Sequence, residues 1–405
     1  MSLLEQAIAV LTFRAGYNSA VVVFGTACLG LAGGTVGTFL LLRRRAMVSD
    51  ALAHATLPGI AAAFLAGVAL GFPERSLPLL LAGAVASAVL AAFLIHGLAS
   101  RTRLPEDAAT AAVLSVFFGL GVVLVSYVQT LNVAGQAGLT HFILGQTAAM
   151  RQGEALAIAA LALVAAVLVT LLFKELRLVC FDPAFAAAQG WPVGRVDAAL
   201  MGLATFVTVI GLQTVGLVLV IALLIVPAVA ARFWTDRLAH MVAASALIGA
   251  VSGWTGATLS ALFPRAPAGA LIVLAAGGLF LFSFLFAPAR GVLALAARHA
   301  LRRLVYAERL ALRRALEAGS GFTKGVSPGL VRWRLRLRGL VDTDGRLTTA
   351  GRVAALAAER DARLWDRFVA DYPALLPAAG WGFEPVDRAL PRDLVVELEA
   401  RAGWR

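Results

Sequence analysis

The sequence predicts an all-α, polytopic membrane protein with about nine transmembrane helices, followed by a small α+β winged-helix domain in the cytosol. Of its 405 residues, 60% are apolar and 14% are charged, and the mean hydropathy is +0.86. Soluble globular proteins have roughly 45–50% apolar and about 25% charged residues. Charge-poor stretches long enough for a membrane helix recur through residues 1–289. These observations exclude collagen-like, disordered, disulfide-scaffold and ordinary cytosolic enzyme classes.

The crossings are predicted from charge-poor stretches of about 20 residues. Residues 198–231 are too long for one crossing, because 34 residues in a single helix would reach ~51 Å. We therefore predict two short crossings hinged near Gln213-Thr214-Val215-Gly216. Basic residues then concentrate on one side, which predicts an outside N-terminus and a cytosolic C-terminus. The other predicted crossings are 15–42, 51–72, 76–100, 108–129, 155–173, 238–264 and 266–289.

The C-terminal part of the chain has a different composition. Residues 289–405 hold 21 of the 35 basic and 13 of the 23 acidic residues. The sequence therefore predicts a transmembrane domain over 1–289, a linking amphipathic helix over 290–318 and a cytosolic domain over 319–405.

Within the cytosolic domain, a helix over 330–340, a tight turn at Asp342-Thr343-Asp344-Gly345 and a helix from Thr349 to about Asp371 indicate a winged-helix module. Four alternating arginines are spread around the first of these helices. This spread favours a solvated surface or an inner-leaflet contact over nucleic-acid binding. The four are Arg332, Arg334, Arg336 and Arg338.

Two ionisable residues lie at the start of the second predicted crossing. Asp50 and His54 are spaced i, i+4 and so share one face of a helix. Pro58, four residues further on, removes a backbone hydrogen bond and can open the helix. A carboxylate oxygen and an imidazole nitrogen together suit a divalent first-row metal ion. Two interpretations stay open: a metal site, or a helix start capped by Ser49 and Asp50 with His54 bonded to a neighbour.

Two further acidic residues, Glu106 and Asp107, open the fourth predicted crossing from the inside. Acidic residues at a helix N-terminus interact favourably with the helix dipole, which explains them without any transport role. The alternative is an acidic exit vestibule that receives a cation.

Small residues dominate part of the first crossing. Gly30, Gly33, Gly34 and Gly37 form two overlapping G-x-x-x-G patterns, which allow close approach between helix backbones. Two interpretations of this helix-packing pattern stay open: packing within one chain, or a symmetric dimer contact.

The sequence contains no G-x-x-x-x-G-K-[ST] loop, and its only lysines are Lys174 and Lys324. An ATP-driven transporter built on this chain would therefore need its motor on another polypeptide. The predicted cytosolic loop from Lys174 to Asp197 is long enough to dock such a motor. Within it, Asp182-Pro183 starts a short helical stretch that ends at Gly190-Trp191-Pro192. The alternative is a connector helix on the membrane surface.

The segment from Leu42 to Gly59, LRRRAMVSDALAHATLPG, closely resembles the signature of manganese/zinc/iron-type ABC importer permeases. Further similarity extends over roughly residues 15–288 and includes Glu106-Asp107-Ala108-Ala109 and Phe181-Asp182-Pro183.

This resemblance implies a transport subunit rather than an enzyme, with 1–289 as the permease domain and no tightly bound cofactor. It implies that Asp50 and His54 contribute to the path of a divalent metal ion at a homodimer interface. The loop around Asp182, Pro183, Ala186 and Gly190 is then the element that couples to two cytosolic ABC ATPase subunits. Other expected partners are an extracytoplasmic metal-binding protein and membrane lipid, but not nucleic acid. The expected location is the bacterial cytoplasmic (inner) membrane, with multiple passes.

The tail, from about residue 298 to 370, resembles the winged-helix end of iron- and manganese-dependent repressors in Leu337-Arg338-Gly339-Leu340-Val341 and in 345–352. Ala362 stands where that pattern usually has a metal-ligand histidine, so metal sensing is left unassigned. A subset of these permeases, mostly assigned to manganese, carries such an extension. Manganese (Mn2+) is therefore the favoured substrate, with zinc and iron as alternatives. The alternative functions are a membrane-tethered regulator acting through the tail and a self-powered secondary transporter.

Overall fold

The computed structural model describes residues 16–70, 77–131, 147, 150–263, 266–317, 329–372 and 385–402. The chain divides into two compact units between Val292 and Leu293. The helices of the first unit are α1 (Tyr17–Leu42), α2 (Ala46–Ala69), α3 (Leu77–Arg101), α4 (Glu106–Thr130), α5 (Gln152–Leu171), α6 (Phe173–Phe181), α7 (Pro183–Ala188), α8 (Val193–Val215), α9 (Leu217–Arg232), α10 (Leu238–Leu262) and α11 (Ala268–Phe286).

Eight of these helices, all except α6, α7 and α9, are long and apolar enough to cross a membrane, counted over the described residues. Nine crossings were predicted, two of them short. The second of these two corresponds to α9, a shorter apolar helix of 16 residues, so the described residues contain eight helices of full crossing length. Its partner α8 is not short: it has 23 residues and begins at Val193, before the predicted start. The prediction excluded the charged residue Asp197, which α8 accommodates because Arg43 pairs with it.

The predicted break between α8 and α9 lies at Gly216, whose φ of 85° is a left-handed conformation that favours glycine. The two helices fold back on each other as a hairpin. A Cβ at Gly211 would lie 2.7 Å from Val220 Cγ2. The hinge was therefore predicted at the right place, although the lengths of its two arms were not.

Helix α1 lies at the centre of the first unit and packs against α5, α8, α9 and α10. In the most apolar 18-residue stretch of α1, 67% of the residues are buried, whereas 17% are buried in the corresponding stretch of α11. The four glycines of its G-x-x-x-G patterns all face backbone of the same chain. A Cβ at Gly30 or Gly34 would overlap a carbonyl oxygen of α10, and one at Gly33 or Gly37 a carbonyl oxygen of α9. The G-x-x-x-G pattern thus allows contacts inside one chain.

The second unit contains five helices among its described residues: α12 (Val292–Glu317), α13 (Gly329–Leu337), α14 (Thr349–Asp371), α15 (Val386–Ala389) and α16 (Arg392–Ala402). Helix α12 is the predicted amphipathic helix, and α14 has the predicted bounds, with Thr348 Oγ1 accepting from Gly351 N at 3.0 Å. Helix α13 ends three residues early, because Gly339 adopts a left-handed φ of 67°. Residues 318–328 and 373–384 of the predicted tail lie outside the described residues.

The predicted tight turn is present between α13 and α14. Asp342 N donates to Arg346 O at 2.8 Å, and Gly345 has a φ of 82°. The turn closes one isolated antiparallel bridge between Val341 and Leu347. In the described part of the tail this bridge is the only β-type pairing, so the predicted α+β character is not supported. Three residues separate Gly345, which completes the turn, from the start of α14 at Thr349, so the pairing stops at one bridge.

A buried carboxylate holds α13 against α12. The Glu308 side chain is only 4% exposed, and it pairs with Arg334 at 2.6 Å and Arg338 at 3.1 Å. A third arginine, Arg336, donates to Thr343 O at 2.5 Å. Three of the four alternating arginines therefore bond to groups within the tail. The alternating sequence pattern did not predict these bonds.

We expect Glu308→Gln to loosen the tail, because a charge-assisted hydrogen bond is worth about 1.5–3 kcal/mol. Limited proteolysis of the full chain in detergent should then cut within the tail faster than in wild type. Glu317→Gln is the matched control, since Glu317 is exposed at the end of the same helix. Equal cutting rates in the two variants would contradict the role of Glu308 in holding α13 against α12.

Candidate metal centre

Helix α2 begins at Ala46, five residues before the predicted crossing, so Asp50 and His54 both lie in its first half. The N-cap residue is Arg45, and no side chain caps this end. Ser49 Oγ donates to Ala46 O at 2.6 Å instead of capping. The structure thus places Asp50 and His54 on one helical face, without the capping arrangement that the sequence left open.

The two side chains are close but not tightly bonded to each other. His54 Nε2 lies 3.5 Å from Asp50 Oδ1, and the side chains are 25% and 40% exposed, respectively. A distance of 3.5 Å is long for a hydrogen bond, so both groups keep the capacity to bind a third atom. His54 Nδ1 is buried and has no hydrogen-bond partner among the described residues.

The His54 ring is held from one side by an aromatic ring of α4. Its centroid lies 5.0 Å from that of Phe118, with an angle of 81° between the ring planes. Helix α4 comes this close because Gly121 faces Pro58: a Cβ there would lie 3.0 Å from Pro58 Cδ and 2.7 Å from Leu57 Cβ. Pro58 has no N–H, so the carbonyl of His54, four residues earlier, loses its intrahelical donor. A carboxylate, an imidazole and a backbone carbonyl oxygen therefore lie within one turn of α2.

Helix α2 is the most buried of the eight long apolar helices, with 72% of its most apolar window buried. Its remaining open face carries exposed or half-buried residues on one side of the helix, interrupted at the buried Pro58, and Asp50 and His54 belong to it. Ionisable groups are costly against lipid, so this face requires a polar passage or a second protein. The other members of the open face are Met47, Ala62 and Ala66.

One chain alone supplies few metal ligands here. No group of three or more His, Cys, Asp or Glu side chains that could hold a metal ion occurs in the part of the chain that the structure describes. The side chains of Asp50 and His54 are two in number, whereas first-row divalent ions usually take four or more ligands.

The two acidic residues at the start of α4 have different surroundings. Glu106 Oε1 lies 2.7 Å from Arg45 Nε, at the N-terminal end of α2. Asp107 is exposed in the first turn of α4. The structure does not join either residue to the Asp50–His54 pair through any contact among the described residues.

The loop between α5 and α8 is folded into two short helices, α6 and α7. Asp182 caps α7 by accepting from Phe185 N at 2.9 Å, and Pro183 occupies its first turn. Ala186 is fully buried, and Gly190 ends the turn with a φ of 82°. The outward side of this loop presents three exposed aromatic side chains, Phe181, Phe185 and Trp191.

Residues 18–287 match the model of the ABC 3 transport family. The chain belongs to this family. This ABC 3 member is 41% identical over 281 residues to the manganese transport system membrane protein MntC of Bacillus subtilis, a match that covers 69% of this chain and 63% of the relative. It is 43% identical over 272 residues to the zinc transport system membrane protein TroC of Treponema pallidum, with 67% and 90% covered.

Among solved structures, PsaBC from Streptococcus pneumoniae in complex with Fab is similar to this ABC 3 member. The TM-score is 0.60 at 28% identity, and the match covers 72% of this chain and 99% of that chain. Together with the eight long apolar helices, the family places the chain in the bacterial inner membrane as a multi-pass protein. The matches leave the tail beyond residue 287 outside the family model.

Proposed function

We propose that this chain is the membrane-spanning permease subunit of an ATP-driven importer for a divalent transition metal ion. The observation that carries the proposal is the Asp50–His54 pair, half exposed on the open face of the otherwise buried helix α2. The family and the relatives named as manganese and zinc transport proteins support the same class of substrate.

The open face of α2 favours a homodimer with the metal path at its two-fold axis. Two copies would bring two Asp50 carboxylates and two His54 imidazoles together, which completes a ligand set that one chain lacks. A transport site must bind a partly dehydrated ion and also release it. The long Asp50–His54 distance suits this requirement, because neither group is locked to the other.

The α6–α7 loop is proposed as the docking element for a separate cytosolic ABC ATPase. Its exposed Phe181, Phe185 and Trp191 offer the aromatic surface that protein interfaces favour. The capped helix α7 holds this surface rigidly through Asp182 and Gly190. The basic side of the bundle is then cytosolic, which places the N-terminus outside, and an extracytoplasmic protein would deliver the metal.

Manganese is the favoured substrate, with zinc and iron as alternatives. A carboxylate, an imidazole and a carbonyl oxygen suit manganese, but affinity at such a site rises towards zinc. Selection would therefore depend on geometry and on the metal that is delivered. The test is uptake of radioactive manganese and zinc into proteoliposomes that contain the chain with or without its ATPase. Uptake that needs ATP and the ATPase supports the proposal, whereas equal uptake without them favours a secondary transporter.

The tail is proposed as a winged-helix-like module that is attached to the permease and does not bind DNA. The order of α13, turn, bridge and α14 supports the resemblance, and the pairing of Arg334 and Arg338 with Glu308 removes two arginines from a DNA-contacting role. The regulator function would need those arginines free for phosphate contacts.

We expect a chain lacking residues 319–405 to keep at least partial metal uptake, because the Asp50–His54 pair and the α6–α7 loop lie entirely within the first unit. Uptake is measured in cells at matched amounts of membrane protein. Complete loss of uptake, with the truncated chain present in the membrane, would support the regulator instead.

A further inference from the structure

We propose that Arg43, Arg45, Asp197 and Glu106 form a largely buried charge network, with Glu106 at its rim, that positions helix α2 and transmits movement of the α6–α7 loop to the proposed metal-binding pair. The proposal rests on the proposed transport function, and it assigns positioning residues to that function. Its members come from three separate places in the chain: the link between α1 and α2, the start of α4 and the start of α8.

The network is held by short ion pairs with little exposure to solvent. Arg43 Nη2 lies 2.6 Å from Asp197 Oδ2, and Arg45 Nη2 lies 3.4 Å from the same oxygen. Arg45 Nε lies 2.7 Å from Glu106 Oε1. The side chains of Arg43, Arg45 and Asp197 are 14%, 13% and 11% exposed, and Glu106, at the rim of the network, is 40% exposed. Two cations and two anions balance, and removing Asp197 leaves Arg43 without a carboxylate partner while Arg45 keeps Glu106.

One member of the network reaches the proposed docking loop directly. Arg43 Nη1 donates to Val179 O, in α6, at 2.9 Å. Three residues further on, Asp182 caps α7. Arg43 and Asp197 thus connect the loop to the first residues of α2, because Arg45 is the N-cap of that helix and Asp50 lies on its second turn.

The link between α1 and α2 stores strain that the network holds in place. Arg44, between the two paired arginines, has a φ of 58°, a left-handed conformation that is costly for a residue with a side chain. Such a conformation persists only where the surroundings over-determine it. The paired side chains on both sides supply that constraint. Space for a rearrangement exists as well, because Arg45, Glu106 and Asp197 border a cavity of about 490 Å³.

The first test measures coupling. In proteoliposomes with the ATPase, we expect Asp197→Asn and Arg43→Gln to lower manganese uptake per ATP hydrolysed by about tenfold, a coupling change of the size that connecting residues produce. ATP hydrolysis and the amount of assembled complex should stay close to wild type. Arg195→Gln is the matched control, since Arg195 lies in the same turn of α8 as Asp197 but is exposed.

The second test does not measure transport. It measures the rate at which the thiol of Cys180, the residue after Val179, is labelled. The pKa of the Cys180 thiol is raised to about 11, mainly because the thiol is buried; the charge of Arg43 acts to lower this pKa and that of Asp197 to raise it. Maleimide reacts with the thiolate, so in a Cys28→Ala background at about pH 9 Asp197→Asn should speed the labelling of Cys180 and Arg43→Gln should slow it. General loosening of the structure would speed both.

The outcomes separate the two proposals. Reduced uptake per ATP together with labelling changes of opposite sign supports the network. Three outcomes overturn the network proposal and leave the transport function standing, provided that the wild-type complex takes up metal. They are unchanged uptake per ATP in both variants, a loss of assembled complex that matches the loss of uptake, and faster Cys180 labelling in both variants. A wild-type complex that takes up no metal contradicts the transport function itself, and with it the role of the network.

Discussion

Alanine at Asp50 or at His54 is expected to reduce ATP-dependent manganese uptake by roughly 100-fold or more. Changes in the outer shell of a metal site already cost about 10–100-fold, and these two side chains are proposed to contact the ion directly. The amount of chain in the membrane should stay near the wild-type level, because both side chains are partly exposed and make no close bond that holds the fold. The measurement is initial uptake rate divided by the amount of chain.

Two further variants make the result specific. Asp50→Asn keeps the shape of the side chain and removes its charge, so it should fail almost as completely as alanine. His240→Ala is the control for His54→Ala, because His240 is exposed at the start of α10 and outside the proposed path. Normal uptake by Asp50→Ala or by His54→Ala would show that the replaced side chain is not a ligand of the transported ion.

Alanine at Gly30 or Gly37 is expected to destabilise the folded chain by about 1–3 kcal/mol each, because an added methyl group would overlap backbone. At Gly30 the overlap is with the carbonyl oxygen of Gly249, and at Gly37 with that of Leu224. Backbone atoms of packed helices cannot rotate away as a flexible side chain can. The two variants should lower the melting temperature of the detergent-solubilised chain and its yield.

Gly277→Ala provides the comparison, since a Cβ at Gly277 meets nothing within 4 Å. An alanine there should leave stability unchanged or raise it by up to about 1 kcal/mol, as expected from helix propensity. If the Gly30 and Gly37 variants kept full stability but lost only dimerisation, the contacts described within the chain would be contradicted.

Several local features of this protein were predictable because they depend on near neighbours. The break at Gly216 follows from the length of the apolar stretch and from glycine's tolerance of a positive φ. The start of α7 follows from an Asp-Pro pair, since aspartate accepts from the backbone and proline suits the first turn. The shared face of Asp50 and His54 follows from helical spacing alone.

Other features required the packed chain. The role of Glu106 was open between helix-dipole stabilisation and a cation vestibule, and the structure shows it paired with Arg45. Asp197 was treated as the end of a loop, yet it lies inside α8 and meets Arg43, 154 positions earlier in the sequence. The only available signal was a charged residue directly beside an apolar stretch, and that signal does not identify a partner.

By itself, the sequence determined the membrane class, most of the helices, the hinge and the shared helical face of Asp50 and His54, because hydropathy, turn chemistry and helical period act over a few residues. Only the tertiary structure decided which backbone each glycine of the G-x-x-x-G patterns faces, which face of α2 stays open and which charged side chains compensate one another. Those properties depend on contacts between segments far apart in the chain, and the free energy of such contacts is set by the packing of whole helices.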